Sequence, residues 1–259
     1  MAIRLLHGGL VWQDIRGGPE GCLILMKGTC AMNKLSIFGD SILKGVVYNG
    51  NGPKRYSLYE STLCEKLRRA GFHAENRSRM GYTVKDGERE IDQFIESEKP
   101  SSVLLEYGGN DSMYRWKEIS EHPDQVHGRV VDIGSFANTY SSIIRKLQDR
   151  GFDVTLSTII PIDPERYIAH VSGKLSYENI MRWLGGTDRL SEMHDQYNDA
   201  IKSLAAGFGC GLIDLRSAFD GQDRSALLSG DGIHPTRLGH KKIEELIAGF
   251  FSGRESLTA

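Results

Sequence analysis

Two polar segments near opposite ends of the chain contain the residue types of an activated hydroxyl nucleophile. Ser41 follows an apolar run that breaks at Gly39, within KLSIFGDSILKG. His234 lies in DGIHP, three residues after Asp231. A histidine can remove a hydroxyl proton near neutral pH, and a carboxylate bonded to its ring fixes the tautomer and stabilises the imidazolium. These residue types predict nucleophilic catalysis by Ser41, with His234 as base and Asp231 as its partner.

Each of these residues also has a structural interpretation. Ser41 stands at a predicted strand-to-helix junction, where a serine can cap the helix. His240 is a second candidate base, but no acid stands three residues before it and it falls inside a predicted helix. A metal site of Asp231, His234 and His240 lacks the spacing of known zinc motifs, so we expect no metal and no cofactor. Asp40 is expected to bond to nearby backbone.

The elements that must position these residues alternate between short β-rich runs and helical patterns from Met32 onward. Central strands that are almost continuously apolar are typical of a parallel sheet covered by helices on both faces. The five predicted strands cover 35–38, 72–76, 101–108, 152–161 and 209–215. The predicted helices cover 56–70, 84–100, 135–150, 188–206 and 235–251. The second strand has few apolar residues, which indicates a position at the sheet edge.

Four polar segments follow predicted strands. Ser41 comes after the first strand, Gly81 after the second, Asn110 after the third and DGIHP after the fifth. Ligands of open α/β sheets bind beyond the carboxyl ends of the strands, so we expect these segments to converge on one cleft. Asn110 and Asp111 also fit a simple turn after the strand.

The same four segments resemble the sequence blocks of the SGNH hydrolases, also called GDSL esterases and lipases. The blocks are FGDS, Gly81 in NRSRMGYT, GGND and DGIHP, in the family's order over residues 38–235. The first block continues with Ile42 where the family has leucine, a conservative departure. No G-x-S-x-G elbow surrounds Ser41, which separates the chain from the α/β-hydrolases.

The resemblance implies an α/β fold: a flavodoxin-like three-layer α/β/α sandwich with a five-stranded parallel sheet. It implies Ser41 as nucleophile and His234 as base, oriented by Asp231. It also implies an oxyanion hole formed by the backbone N–H groups of Ser41 and Gly81 and by the side-chain amide of Asn110.

Composition limits the partners. The formal net charge is −2 and the basic residues are scattered, so nucleic acid is not expected as a partner. No run approaches the roughly 20 apolar residues of a membrane-spanning helix. The four cysteines contain no CxxC pair and are expected to be free thiols, which favours a cytoplasmic location. We expect a single SGNH domain over residues 32–259, preceded by a peripheral extension over residues 1–31.

Two segments do not fit the alternation of strands and helices, and we expect them to form a cap or specificity elements near the cleft. They cover residues 112–134 and 162–187. Their aromatic and basic residues either contact substrate, such as a sugar ring or an anionic group, or pack as the apolar face of a cap; these are Tyr114, Trp116, Arg166, Tyr167 and Trp183. Five other histidines are expected at the surface: His7, His73, His122, His127 and His194.

The sequence therefore predicts a serine hydrolase of carboxylic esters that works through an acyl-enzyme intermediate. The expected substrate is a small polar or carbohydrate O-acyl ester, with acetyl as the first choice because no long apolar lid suggests lipid. Two alternatives stay open: an acyltransferase with the same triad, and a non-catalytic carbohydrate-binding SGNH module. A flavin-binding protein is disfavoured because GDSILKG lacks a Ser/Thr-rich phosphate cradle.

Overall fold

The computed structural model describes residues 32–258, and the side chains of residues 32–253. The predicted extension over residues 1–31 lies outside the described residues, together with His7, Cys22 and Cys30. Within the described part, Cys64 and Cys210 are free thiols. None of the described helices combines the length and the apolar character needed to cross a membrane.

Strands and helices alternate along the chain as expected. The strands are β1 (Asn33–Gly39), β2 (Val46–Tyr48), β3 (Tyr56–Leu58), β4 (Phe72–Asn76), β5 (Ser102–Glu106), β6 (Asp153–Ser157) and β7 (Gly211–Ile213). The helices are α1 (Ser41–Lys44), α2 (Leu63–Arg69), α3 (Val84–Ser97), α4 (Trp116–Glu121), α5 (Ile133–Asp149), α6 (Pro164–Val171), α7 (Tyr177–Leu184), α8 (Asp188–Phe208), α9 (Arg224–Leu227) and α10 (Arg237–Thr258). A 3₁₀ turn covers Ser172–Lys174.

The central sheet has five parallel strands in the order β4-β1-β5-β6-β7. This confirms the predicted α/β fold, and β4 lies at the edge as expected. From β1 the chain first adds β4 on one side and then returns to place β5 on the other. The winding direction therefore switches between β1 and β5, which is where open α/β sheets bind ligands.

Helices cover both faces of the sheet because its central strands are apolar on both sides. In β5, Val103 and Leu105 pack into one buried cluster, whereas Leu104 packs into the other. The first cluster includes side chains of α3, α5 and α8, and the second includes side chains of α2 and α10. The result is a three-layer α/β/α sandwich, as the resemblance implied.

The predicted helix over residues 56–70 is wrong in its first half. Tyr56–Leu58 is instead a strand that pairs antiparallel with Val46–Tyr48. Leu58 is apolar, but 57% of its surface is exposed, so it contributes nothing to a buried helix face. The helix begins only at Leu63, whose side chain packs with Leu67 into the second cluster.

The two irregular segments contain α4, α6 and α7, and we refer to them together as the cap. Apolar side chains of the cap form most of a third cluster, separate from the two on the sheet. Its buried members are Tyr114, Trp116, Ile119, Ile162, Tyr167, Ile168, Ile180, Leu184 and Leu190. Within it, the Trp116 Nε1 donates to the Tyr167 hydroxyl at 2.8 Å and joins the two segments. Most of the cap aromatics are therefore packing residues.

Candidate active site

Ser41 is placed by a sharp junction between β1 and α1. Asp40 is the N-cap of α1, and its Oδ1 accepts from the Ile42 backbone N at 2.8 Å. Asp40 therefore caps the helix, and the Ser41 hydroxyl is available for another role. Gly39 is required just before the junction, because a Cβ there would lie 3.0 Å from both the Glu106 carbonyl and its carboxyl.

The side chains of Ser41, His234 and Asp231 form one hydrogen-bonded chain. His234 Nε2 lies 3.1 Å from Ser41 Oγ, and His234 Nδ1 lies 2.6 Å from Asp231 Oδ2. The other carboxylate oxygen of Asp231 accepts from the backbone N of Ile233 at 3.3 Å and of His234 at 3.1 Å. All three catalytic candidates are buried. The short loop thus fixes the carboxylate against the imidazole.

The electrostatics of the loop favour an ionised Asp231. Burial alone would raise the pKa of Asp231, but the hydrogen bond and charge of His234 and the backbone donors outweigh it and lower that pKa. An ionised Asp231 accepts a hydrogen bond from Nδ1–H, which leaves Nε2 of the neutral ring as an acceptor facing the Ser41 hydroxyl. This arrangement can remove the hydroxyl proton of Ser41.

The candidate oxyanion residues lie beside Ser41 at the switch point. Gly81 and Asn110 line the same pocket as Ser41. Gly81 has φ +80°, a left-handed conformation that favours glycine. Asn110 Nδ2 donates to Asp40 Oδ2 at 3.0 Å and to the Tyr82 carbonyl at 2.9 Å, which uses both of its hydrogens. An oxyanion would have to share one of these donors.

A pair of buried carboxyl groups lies beneath the site. Glu106, at the end of β5, is 1% exposed, and its Oε2 accepts from the Asp40 backbone N at 3.4 Å. Burial raises the pKa of Asp40 to about 6. Burial, and then the negative charge of Asp40, raise the pKa of Glu106 well above its usual range. Glu106 therefore keeps its proton and can donate to Asp40, which in turn orients Asn110.

Asp111 has a structural environment. Both of its carboxyl oxygens accept from the Val84 backbone N, at 3.0 and 3.2 Å, which fixes the start of α3. Burial raises the pKa of Asp111 to about 7.

A pocket of about 260 Å³ opens from Ser41. Six aliphatic residues line much of its wall: Met113, Val130, Ile159, Ile160, Ile162 and Ile233. His194 of α8 also lines it, and its predicted surface position is wrong, since it is only 3% exposed. Charged residues near it in the sequence, such as Asp195, gave no sign of this burial. Burial, and then the charges of Arg216 and Arg129, lower the pKa of His194 to about 3.

The five predicted substrate-binding residues separate into two groups. Tyr167 lines the pocket, and Arg166 lines a second, more open groove next to it. Tyr114, Trp116 and Trp183 pack in or against the cap cluster, with the Tyr114 and Trp183 rings 4.8 Å apart.

The hairpin of β2 and β3 brings two tyrosines to the site that the sequence analysis missed. The Tyr56 ring lies 5.4 Å from the His234 ring, and the Tyr48 ring lies 5.6 Å from Tyr56. Tyr48 also lines the open groove with Arg166 and Arg237. The NG and GP dipeptides in YNGNGPKRY are turn signals that could have revealed this hairpin.

His240, the competing base, lies in a different environment. Its Nε2 is 2.9 Å from the Val46 carbonyl, and its ring stacks on Tyr59 at 5.4 Å. His240 therefore supports the hairpin of β2 and β3. Over residues 32–258, no group of three or more His, Cys, Asp or Glu side chains is arranged to hold a metal ion.

A three-layer α/β/α sandwich with a serine, histidine and aspartate gathered beyond the carboxyl ends of its strands defines an SGNH-type esterase. The chain belongs to the GDSL-like Lipase/Acylhydrolase family, whose model matches residues 37–242. No curated protein matches the sequence significantly.

Several solved structures are similar in fold. A lipase/acylhydrolase from Enterococcus faecalis is 19% identical, with 86% of this chain and 97% of that chain covered and a TM-score of 0.59. An α/β hydrolase enzyme from the metagenome of Lake Arreo, Spain, is 22% identical, with 85% and 94% covered and a TM-score of 0.61. A catalytic mutant of an acetylxylan esterase from Geobacillus stearothermophilus is 19% identical, with the same coverage and a TM-score of 0.59.

Proposed function

We propose that the protein hydrolyses carboxylic esters with Ser41 as nucleophile, through an acyl-enzyme intermediate. The observation that supports this most directly is the hydrogen-bonded chain from Ser41 Oγ to His234 Nε2 at 3.1 Å and from His234 Nδ1 to Asp231 at 2.6 Å. A serine hydroxyl is a weak nucleophile by itself, and an adjacent base held by a carboxylate activates it.

The reaction has two halves that use the same base. Ser41 Oγ attacks the acyl carbon while His234 Nε2 takes its proton, and the imidazolium then returns that proton to the departing alcohol. Water attacks the resulting serine ester with His234 again as base, which releases the acid and restores the Ser41 hydroxyl. Asp231 stays ionised throughout and stabilises the imidazolium.

Negative charge on the former carbonyl oxygen needs neutral donors. We propose the backbone N–H groups of Ser41 and Gly81 and the Asn110 amide for this role. Asn110 already donates to Asp40 and to the Tyr82 carbonyl. Its bond to Asp40 fixes the amide plane, so we propose that the oxyanion shares the hydrogen that points to the Tyr82 carbonyl.

The leaving alcohol must lie on the His234 side, because it receives its proton from that ring. On this side the groove is open and is lined by Tyr48, Arg166 and residues that flank His234 in the chain, such as Gly230 and Thr236. Aromatic rings beside hydrogen-bonding groups suit a sugar or another polyhydroxylated alcohol. The fold-level likeness to an acetylxylan esterase adds support for a carbohydrate ester.

Ser41→Ala tests the mechanism. We expect it to abolish hydrolysis of short p-nitrophenyl esters and to prevent covalent labelling by a fluorophosphonate, with the melting temperature retained. Ser36→Ala is the matched control, because Ser36 lies in the preceding strand, is fully buried, and its Oγ has no hydrogen-bond partner among the described residues. Undiminished turnover in Ser41→Ala would refute the assignment of Ser41 as nucleophile. Product analysis with an added sugar acceptor separates hydrolysis from acyl transfer.

A further inference from the structure

The pocket next to Ser41 is larger than an acetyl group needs. Its volume of about 260 Å³ is several times the roughly 30 Å³ that one water molecule occupies in the liquid. The aliphatic walls named above offer no hydrogen bonds to water, so water that fills this space is held less well than in bulk. Burial of an apolar chain there is favourable, and the gain grows with each CH₂ group that leaves water.

The acyl side of the ester faces this pocket. The alcohol side belongs to the open groove, because the departing oxygen must reach His234 Nε2. The pocket instead contains Gly81 and Asn110, the proposed donors to the carbonyl oxygen, and extends to Ile159 and Ile160 after β6. A chain attached to the acyl carbon therefore runs between these isoleucines and the cap residue Tyr167.

His194 provides a polar group in this apolar wall. Its Nδ1 lies 3.4 Å from Arg216 Nη1, and arginine has only donors, so Nδ1 must be the acceptor. Arg216 is held in turn by Asp195 and, through its backbone N, by Thr158. A neutral imidazole with Nδ1 as acceptor carries its proton on Nε2.

The Nε2–H of His194 has no acceptor among the described residues. Nε2 is not among the fully buried side-chain atoms that lack a partner, so this donor is open to the pocket. Of two other polar side chains of the wall, the Thr83 hydroxyl donates to Asp86, whereas the Tyr167 hydroxyl accepts from Trp116 and keeps its own hydrogen. His194 is thus a free donor that lines a pocket otherwise suited to hydrocarbon.

We propose that the pocket binds an acyl chain that is longer than acetyl and carries a neutral oxygen acceptor, such as an ether, keto or hydroxyl oxygen, for His194 Nε2–H. This substrate class deepens the proposed ester hydrolysis and rests on it. A charged chain end does not fit as well, because a neutral imidazole does not compensate a buried carboxylate.

Matched pairs of esters test the proposal on the wild-type enzyme. The p-nitrophenyl esters of simple alkanoic acids are compared with oxa, keto and carboxylate chains of equal heavy-atom count, over increasing chain length. We expect kcat/KM to favour the neutral acceptor chain by roughly tenfold at the length that reaches His194, the effect of one hydrogen bond. Equal rates at every length, or a preference for the carboxylate chain, would overturn the proposal.

Variants of His194 assign the preference to this residue. His194→Phe removes the donor, and we expect the rate ratio within each matched pair to fall to about one. His194→Gln keeps an acceptor for Arg216 and a donor for the chain, and we expect it to restore part of the ratio. His73→Phe changes an exposed histidine of β4 and serves as control. Both esters of a pair are measured on the same sample, so the rate ratio does not depend on the fraction of protein that is folded. An unchanged rate ratio in His194→Phe refutes the assignment.

The two proposals fail in different ways. If no ester of any length is hydrolysed, the proposed function itself is wrong. If esters are hydrolysed in a Ser41-dependent manner without any preference for the neutral acceptor chain, only the proposed acyl specificity is wrong.

Discussion

The proton on Glu106 has a measurable effect on stability. In the folded protein, burial and the neighbouring Asp40 raise the pKa of Glu106 well above its usual value of 4.5. Between the unfolded and the folded pKa, the folded state binds one proton more than the unfolded chain. The free energy of unfolding therefore falls as the pH rises through this window, and the contribution of Glu106 is complete only below the unfolded pKa.

Glu106→Gln removes this titration and keeps the shape. The amide oxygen can still accept from the Asp40 backbone N, and the amide N–H can donate to the Asp40 carboxylate as the protonated acid does. One proton corresponds to about 1.4 kcal/mol per pH unit. As the pH rises above the unfolded pKa of Glu106, the free energy of unfolding of Glu106→Gln should thus rise relative to wild type, by at most this amount for each pH unit. Asp40 titrates together with Glu106, so the difference reports on this pair of carboxyl groups.

Urea unfolding followed by tryptophan fluorescence across this pH range measures the difference. Glu60→Gln, at an exposed position, is the control and should give a curve parallel to wild type. Glu106→Leu should be less stable than Glu106→Gln at every pH, because the Asp40 backbone N and carboxylate both lose a partner. If the Glu106→Gln curve also runs parallel to wild type, Glu106 does not hold a proton and the reasoning is refuted.

Two further substitutions probe the loops around the site. Asn110→Ala should lower kcat for ester hydrolysis about 100- to 1000-fold, because a neutral oxyanion donor is lost. Steady-state kinetics measure this loss, and the melting temperature serves as the control for folding. A loss below tenfold contradicts the assignment. Gly232→Ala should lower the melting temperature and the activity together, because Gly232 has φ +75° and a Cβ there would lie 2.5 Å from the Asp163 carbonyl. An unchanged melting temperature in Gly232→Ala would show that α6 moves away without cost.

The sheet and the hydrogen-bonded chain of Ser41, His234 and Asp231 could be predicted because their determinants are local. Apolar runs of strand length define the layers, and DGIHP contains both the carboxylate and the imidazole within one turn. Once the strand order is assumed, the sheet itself brings Ser41 and His234 together. The peripheral status of residues 1–31, the single domain and the cytoplasmic location stay predictions.

The features that the sequence did not reveal depend on partners far away in the chain. Tyr56 and Leu58 belong to the predicted helix over residues 56–70, and only pairing with Val46–Tyr48 makes them a strand. His194 lies among charged residues, yet Arg216 and the pocket wall enclose it. The buried position of Glu106 could have been predicted in part, because a single carboxyl group in the apolar run SVLLE is itself a sign of a special environment.

The cap has its own apolar cluster, distinct from the two clusters that hold the sheet and its helices together. Substitutions among Ile162, Tyr167 and their neighbours can therefore reshape the pocket wall while the sheet keeps its packing. Substrate preference can then diverge through single mutations that do not unfold the protein. Selection for stability does not remove such mutations. The same separation offers a protein engineer a small set of positions for a library: those of the cap cluster that line the pocket.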